Sequence, residues 1–219
     1  MKNIPVYMAR GGTASLVLRE IPHRQTAYVR LMTVTDLPGL LEECAGFCRS
    51  CGAEQIFVSR GTENLPLPHA HDMLLLHVKK EALPAAKTPV NLAPMNPDND
   101  AIYQRIMNIG FRQVSGAATY ERSDIQRIYR ESQKAFLALT EDGAPFGIGE
   151  IHGSELAAVA VLPEYRGKGL GRELTLALSS ECEGGEVELT AASDNEGALA
   201  LYDSLGFTVK GKLSAWYVL

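Results

Sequence analysis

A near-continuous apolar run, LAAVAVL from Leu156 to Leu162, stops at Pro163 and turns through EYRGKGLG into a helix-patterned stretch, RELTLALSSEC. An apolar run of that length suits a central strand covered on both faces. Strand, glycine-rich turn and amphipathic helix in immediate succession restrict the chain to a layered α/β arrangement. Glycines at 167, 169 and 171 let backbone N–H groups come close to a bound group with no Cβ in the way. Donors at the start of a helix have no intrahelical partner and lie at the positive end of its dipole. Such a place accepts a pyrophosphate, and Arg166, Lys168 and Arg172 add compensating charge. The segment is not a Walker loop, because no Ser or Thr follows the lysine of GKG. Nor is it a dinucleotide fingerprint, which needs an acidic residue at the end of the next strand. A plain strand-to-helix turn without a ligand is the other reading of these residues.

Periodicity organises what surrounds this segment. Val90–Met95 reads as a strand, Asp98–Gly110 as a helix ended by its glycine, and Ser123–Ser132 as a helix behind a Ser cap. AFLALT and PFGIGEI read as hairpin strands around EDG. After the helix Leu170–Cys182 come a strand EVELTA, a helix Asn195–Leu205 and two final strands. The first half repeats the middle of this order: IPVYMA, ASLVLRE and TAYVRLMTV as strands, Asp36–Cys51 as a helix, then the strand EQIFVS. The offset is about 131 to 134 residues. Two related units in tandem are expected, spanning 1–85 and 90–219 and joined in the Pro-rich stretch LPAAKTPVNLAP.

The cysteines of CAGFCRSC have the spacing of an iron–sulfur ligand set, but they fall inside the first unit's helix. There Leu37, Leu40, Cys44, Cys48 and Cys51 recur every three or four residues as one stripe, and cysteine buries well as a small apolar group. His69 and His71 in PHAHD, read as a Pro-rich loop, lack a clear third and fourth ligand. No metal is expected. The chain carries a net charge of −5, and no basic stripe suggests a nucleic-acid partner. Charge is uneven, +2 over residues 1–88 and −7 over 89–219, a balance that suits a cationic substrate or simply a solvated acidic surface. No membrane span or secretory leader is evident, so a cytoplasmic protein with no membrane partner is expected.

Two motifs together carry a resemblance. Arg-x-x-Gly-x-Gly after a strand ending Val-x-Pro-Glu-Tyr resembles motif A of the GNAT superfamily of N-acetyltransferases. Asn195, Ala198, Leu201-Tyr202 and Gly206-Phe207, in NEGALALYDSLGF, are similar to that family's Asn-x-x-Ala-x-x-x-Tyr-x-x-x-Gly-Phe helix and turn. The resemblance covers Val90–Leu219. It implies an α/β GNAT-like acyltransferase fold, a mixed sheet of six or seven strands that splays open beside the strand before Pro163. It further implies acetyl-CoA as co-substrate in that opening. Pantetheine would pair with Val159, Ala160 and Val161 as an added strand would. Pyrophosphate would rest on Arg166, Gly167, Lys168, Gly169, Leu170 and Gly171 beside Arg172. Asn195 and Tyr202 would face the thioester.

The implied activity is acetyl transfer from acetyl-CoA to a primary amine, either a small molecule or a peptide, by direct attack in a ternary complex. An amine of pKa near 10.4 is neutral in only about one molecule in 2,500 at pH 7, a cost of about 4.6 kcal/mol. The site must therefore remove a proton, and a backbone N–H can hold the developing oxyanion. Glu150, in an otherwise apolar strand, is the candidate base. His152 and Glu155 lie close by, and a solvent-facing Glu150 is the alternative. Tyr202 would serve the departing thiolate, and Tyr120 would line an acceptor pocket. In the first unit the equivalent of PEYRGKGLGREL is TDLPGLLEE, which has one glycine, no basic residue and several acids. A degenerate GNAT-like copy without coenzyme is expected there, covering the sheet, shaping the acceptor pocket or mediating a homodimer. A non-catalytic acetyl-CoA sensor is the alternative function.

Overall fold

The computed structural model describes residues 6–131 and 133–219; Ile4 and Pro5 of the first expected strand, and Ser132 at the end of an expected helix, lie outside the described residues. The chain divides into two compact units, Met1–Leu74 with Lys212–Leu219, and Leu75–Gly211. The spans expected from the sequence differ from these, because two strands, β5 (His69–Lys79) and β11 (Thr208–Val218), have residues in both units.

The first unit opens with an antiparallel meander of β1 (Val6–Ala9), β2 (Gly12–Val17) and β3 (Thr26–Val34), with a short helix α1 (Ile21–Arg24) before β3. Helix α2 (Leu37–Ser50) then returns the chain to β4 (Gln55–Ser59), parallel to β3. The apolar stripe of α2 is real: Leu40, Leu41, Cys44, Ala45 and Cys48 are buried in the core with Val29, Ile56 and Val58. Burial pushes the thiols of Cys44 and Cys48 up to about 11. Cys51 departs from the expected stripe, being the exposed C-cap residue. Among the described residues, no group of three or more His, Cys, Asp or Glu could hold a metal ion. His69 and His71 stand on β5, not in a loop; strand alternation there overrides the flanking prolines.

The second unit has β6 (Asn91–Pro94), α3 (Asp100–Gly110), α4 (Arg122–Arg130), β7 (Lys134–Leu139), β8 (Pro145–His152), β9 (Glu155–Val161), α5 (Leu170–Glu181), β10 (Glu186–Ala192) and α6 (Glu196–Ser204) before β11. Its strand order is β11-β5-β10-β9-β8-β7-β6. One face of β8 and β9 packs on α3 and α4 through Ile148, Ala158, Ala160, Tyr103, Ile106, Ile125 and Ile128. The other face receives α5, and here the alternation of PFGIGEI acquires its reason. A Cβ at Gly149 would stand 2.3 Å from Leu178, and one at Gly147 would stand 3.0 Å from Leu174. Missing side chains make the bed for the helix.

Three local expectations change. Helix α3 starts at Asp100 rather than Asp98 and does end at Gly110, though without left-handed backbone; the missing Cβ there lets α3 approach Ala160, whose Cβ would lie 2.5 Å away. Helix α4 starts one residue before Ser123, under a reciprocal capping box of Glu121 and Asp124. The two expected final strands are one, β11, which runs straight through Gly211 without a positive φ.

Candidate active site

The strands β9 and β10 begin as a parallel pair and then part. Among the described residues their register is confined to Glu188↔Glu155 and Leu189↔Leu156. At the point of parting, the β8/β9 register slips by one residue between Glu150/Ile151, leaving Ala157 as a bulge. A bulge bends its strand away from a neighbour. Beyond it, Leu162 donates its N–H to Phe146 O at 2.9 Å. Backbone groups alternate along a strand, so those of Val159 and Val161 face the vacated edge, and those of Ala160 face β8.

That free edge leads straight into the glycine-rich turn. Gly167 and Gly169 both have positive φ (+73° and +79°), and Gly169 caps α5 from the left-handed region. The consequence is a concave row of amides. Among the described residues, no acceptor takes the N–H of Gly167, Lys168, Gly169, Leu170 or Gly171, whereas the N–H groups of Arg172 and Glu173 both return to Gly169 O. A Cβ added at Gly167 or Gly169 would meet nothing within 4 Å, so the cradle is open on its outer side. Gly171 looks inward, and a Cβ there would lie 3.6 Å from Leu201 and 3.8 Å from Val161.

The cations are not equivalent. Arg166 donates from Nε to Val161 O (3.0 Å) and from a terminal nitrogen to Gly110 O (3.2 Å), bracing the turn against β9 and α3. Arg172 reaches Ser204 at 3.3 Å, at the end of α6. Lys168 lies over the Tyr165 ring at 5.3 Å, exposed beside the amides. On the far side of the opening, Asn195 caps α6, its side-chain oxygen accepting the Ala198 N–H at 3.4 Å. Tyr202 is buried with its ring 5.6 Å from that of Phe207, and burial pushes its phenol up to about 12.

Glu150 is not at the surface. It is 1% exposed, registered opposite Ala158 on the α3/α4 face. Its Oε2 accepts the hydroxyls of Tyr103 (3.1 Å) and Tyr120 (2.9 Å), and its Oε1 lies 3.0 Å from His152 Nε2. Burial, and next the Glu150 charge, push both phenols upward, so both stay donors. Tyr120 is held by α3: its N–H donates to Asn108 Oδ1 (2.7 Å), and its carbonyl accepts from Gln104 (2.8 Å) and Asn108 (3.0 Å). The same loop reaches the end of β10, where Ser115 donates to Asp194 at 2.6 Å. Glu155 is half-buried opposite His152.

Sequence reasoning reached Glu150 and Tyr120 separately and missed what joins them. Tyr103 reads as one more apolar position of a helix. The polar pair Gln104 and Asn108, four residues apart on one face, was the available sign that α3 grips something.

These features, a sheet that parts beside a strand and an amide cradle at the strand's end, define a fold of known relationship. Residues 100–214, more than half of the chain, match the acetyltransferase (GNAT) domain family. The chain therefore belongs to the GNAT acetyltransferase family. A stretch of 63 residues is 41% identical to N-alpha-acetyltransferase RimI of Mycobacterium tuberculosis (strain ATCC 25618 / H37Rv); it covers 29% of this chain and 40% of that protein. The GCN5-related N-acetyltransferase from Sphaerobacter thermophilus aligns over 94% of this chain and 76% of its own, with TM-score 0.61 and 16% identity. A tandem GNAT protein from the clavulanic acid biosynthesis pathway aligns over 94% of this chain and 78% of its own, with TM-score 0.54 and 18% identity. At such identities the likeness is one of fold. Among the described residues, no helix is long and apolar enough to cross a membrane.

Proposed function

We propose that this chain is an N-acetyltransferase that takes the acetyl group of acetyl-CoA to a primary amine. The observation that carries the reading is the row of five unclaimed amides from Gly167 to Gly171, continuous with the free edge of β9. A diphosphate needs several convergent donors and no crowding Cβ, and the cradle offers both. The backbone of Val159 and Val161 would hold the pantetheine arm as an added strand, and Lys168 and Arg172 would supply charge. Arg166 contributes chiefly as a brace, since its guanidinium is already on two carbonyls. The bound thioester supplies an activated acyl carbon.

The chain's own residues divide the remaining work. Glu150 takes the amine's proton, and Tyr120, half-buried on the same carboxylate, lines the approach. Tyr202 donates a hydrogen bond to the leaving sulfur. Asn195 sets the start of α6, and so places Tyr202, which makes it a positioning residue. The acceptor panel begins with short peptides bearing a free α-amine, the substrate class in the name of the RimI relative, followed by small amines. The first unit is read as a copy without coenzyme. Its parallel pair β3/β4 stays registered over five positions from Thr26↔Gln55 to Arg30↔Ser59, so no edge opens.

A second reading, a non-catalytic acetyl-CoA sensor, draws support from Glu150, whose oxygens already take three partners. Release of CoA thiol over the amine panel separates the two: tight binding with no turnover on any amine favours the sensor. The site itself is tested by Gly171→Val. Its backbone is unstrained, so the fold survives while the side chain enters the space beside Val161 and Leu201. Calorimetry should show acetyl-CoA bound at least about tenfold more weakly, a loss of about 1.4 kcal/mol. Unchanged affinity would remove the cradle assignment.

A further inference from the structure

We propose that His152 is a positioning residue for Glu150: its ring, 3.0 Å from Oε1, fixes the buried carboxylate so that Oε2 stays on Tyr103 and Tyr120. The proposal rests on the reading of Glu150 as the base. A carboxyl group with 1% exposure needs hydrogen-bond partners in place of water. Among the described residues Glu150 has three: Tyr103, Tyr120 and His152. The two phenols lie against Oε2, and burial pushes both toward the protonated form. Among the described residues, His152 alone lies within hydrogen-bond distance of Oε1.

The place of His152 in the fold makes it the sensitive member of the set. Its side chain is 33% exposed, and its ring forms part of the wall of a surface cleft of about 360 Å³ with Glu131, Gln133, Lys134 and Glu183. Water therefore reaches the ring but not the carboxylate. The charged and titratable groups facing the pair are Tyr103 from α3, Tyr120 from the loop after it and Arg127 from α4. Glu131, Lys134 and Glu183 face it around the cleft, and Glu155 stands opposite on β9. Several of these are already engaged. Glu131 takes Gln133 at 2.6 Å and Arg127 at 3.4 Å, and Lys134 donates to Glu181 O at 3.0 Å. Among the described residues, Glu150 is the one group hydrogen-bonded to the His152 ring.

His152→Ala removes the ring from Oε1; His152→Gln returns an N–H of similar reach. Crystal structures of the full chain carrying each variant should show the Glu150 carboxylate turned away in His152→Ala, its Oε2 more than about 3.5 Å from the Tyr120 hydroxyl, and back within hydrogen-bond distance in His152→Gln. An unmoved carboxylate in His152→Ala overturns the proposal, as does a Gln variant that behaves like Ala. The base reading has its own readout: full acetyl transfer by Glu150→Gln overturns that reading even where the carboxylate moves, and loss of transfer sustains it.

Discussion

Tyr202 shows how burial redefines a role that its position alone suggests. Pushed up to about 12, the phenol is a far weaker acid than a thiol of about 8.5, so handing its proton to a thiolate is uphill by roughly 5 kcal/mol. Donating a hydrogen bond without losing the proton costs nothing of that kind, and a high pKa keeps the donor intact across the working range. Tyr202→Phe retains the ring against Phe207 and removes only the hydroxyl. The expected outcome is a kcat lowered about tenfold with acetyl-CoA affinity within about twofold of wild type, read from steady-state kinetics and calorimetry on the same protein. Equal kcat would leave Tyr202 a packing residue. Arg166 makes the opposite point: a cation beside the amide row that puts two of its donors on Val161 O and Gly110 O, holding the turn to the strand that feeds it.

Among the elements, β8 is the one on which the site's geometry leans. Its glycines admit α5, its register slip opposite Ala157 marks where β9 leaves β10, and its Glu150 lies beneath that point. A Cβ at Gly147 would stand 2.6 Å from the carbonyl oxygen of Ala160, on the strand that forms the free edge. Backbone cannot step aside as a side-chain tip can. Gly147→Ala should therefore destabilise by about 1–3 kcal/mol in urea unfolding, and should also weaken acetyl-CoA binding because β9 itself must shift. A variant as stable as wild type would show that β9 has room to move, and the slot would be softer than its contacts suggest.

At the scale of the whole molecule, the two units use similar element orders to different ends. The second unit parts its parallel pair after two registered positions; the first keeps five. Its helix α2 begins under Asp36 with Leu-Pro-Gly as its first turn, where a carboxylate would meet any incoming phosphate. One coenzyme per chain is the expected stoichiometry, measured by calorimetry or native mass spectrometry. Two per chain would reveal a site in the first unit that its paired strands do not suggest.

What the sequence determined by itself was local. The cradle could be read because its strand, turn and helix are consecutive, and its donors belong to neighbouring residues whose conformation glycine spacing dictates. The tandem order and the burial of Cys44 and Cys48 were legible for the same reason, through periodicities that are properties of single elements. Tertiary structure decided everything that depends on which distant groups meet. It placed His69 and His71 on a strand, since pairing partners far along the chain outweighed flanking prolines. It fused two expected final strands into β11, and made Gly110, the last residue of α3, a contact surface as well. It also enclosed Glu150 with Tyr103, Tyr120 and His152, contributed by a helix, a loop and its own strand. A hydrogen-bond partner dozens of residues away leaves no spacing to read, and only packing can bring it within 3 Å.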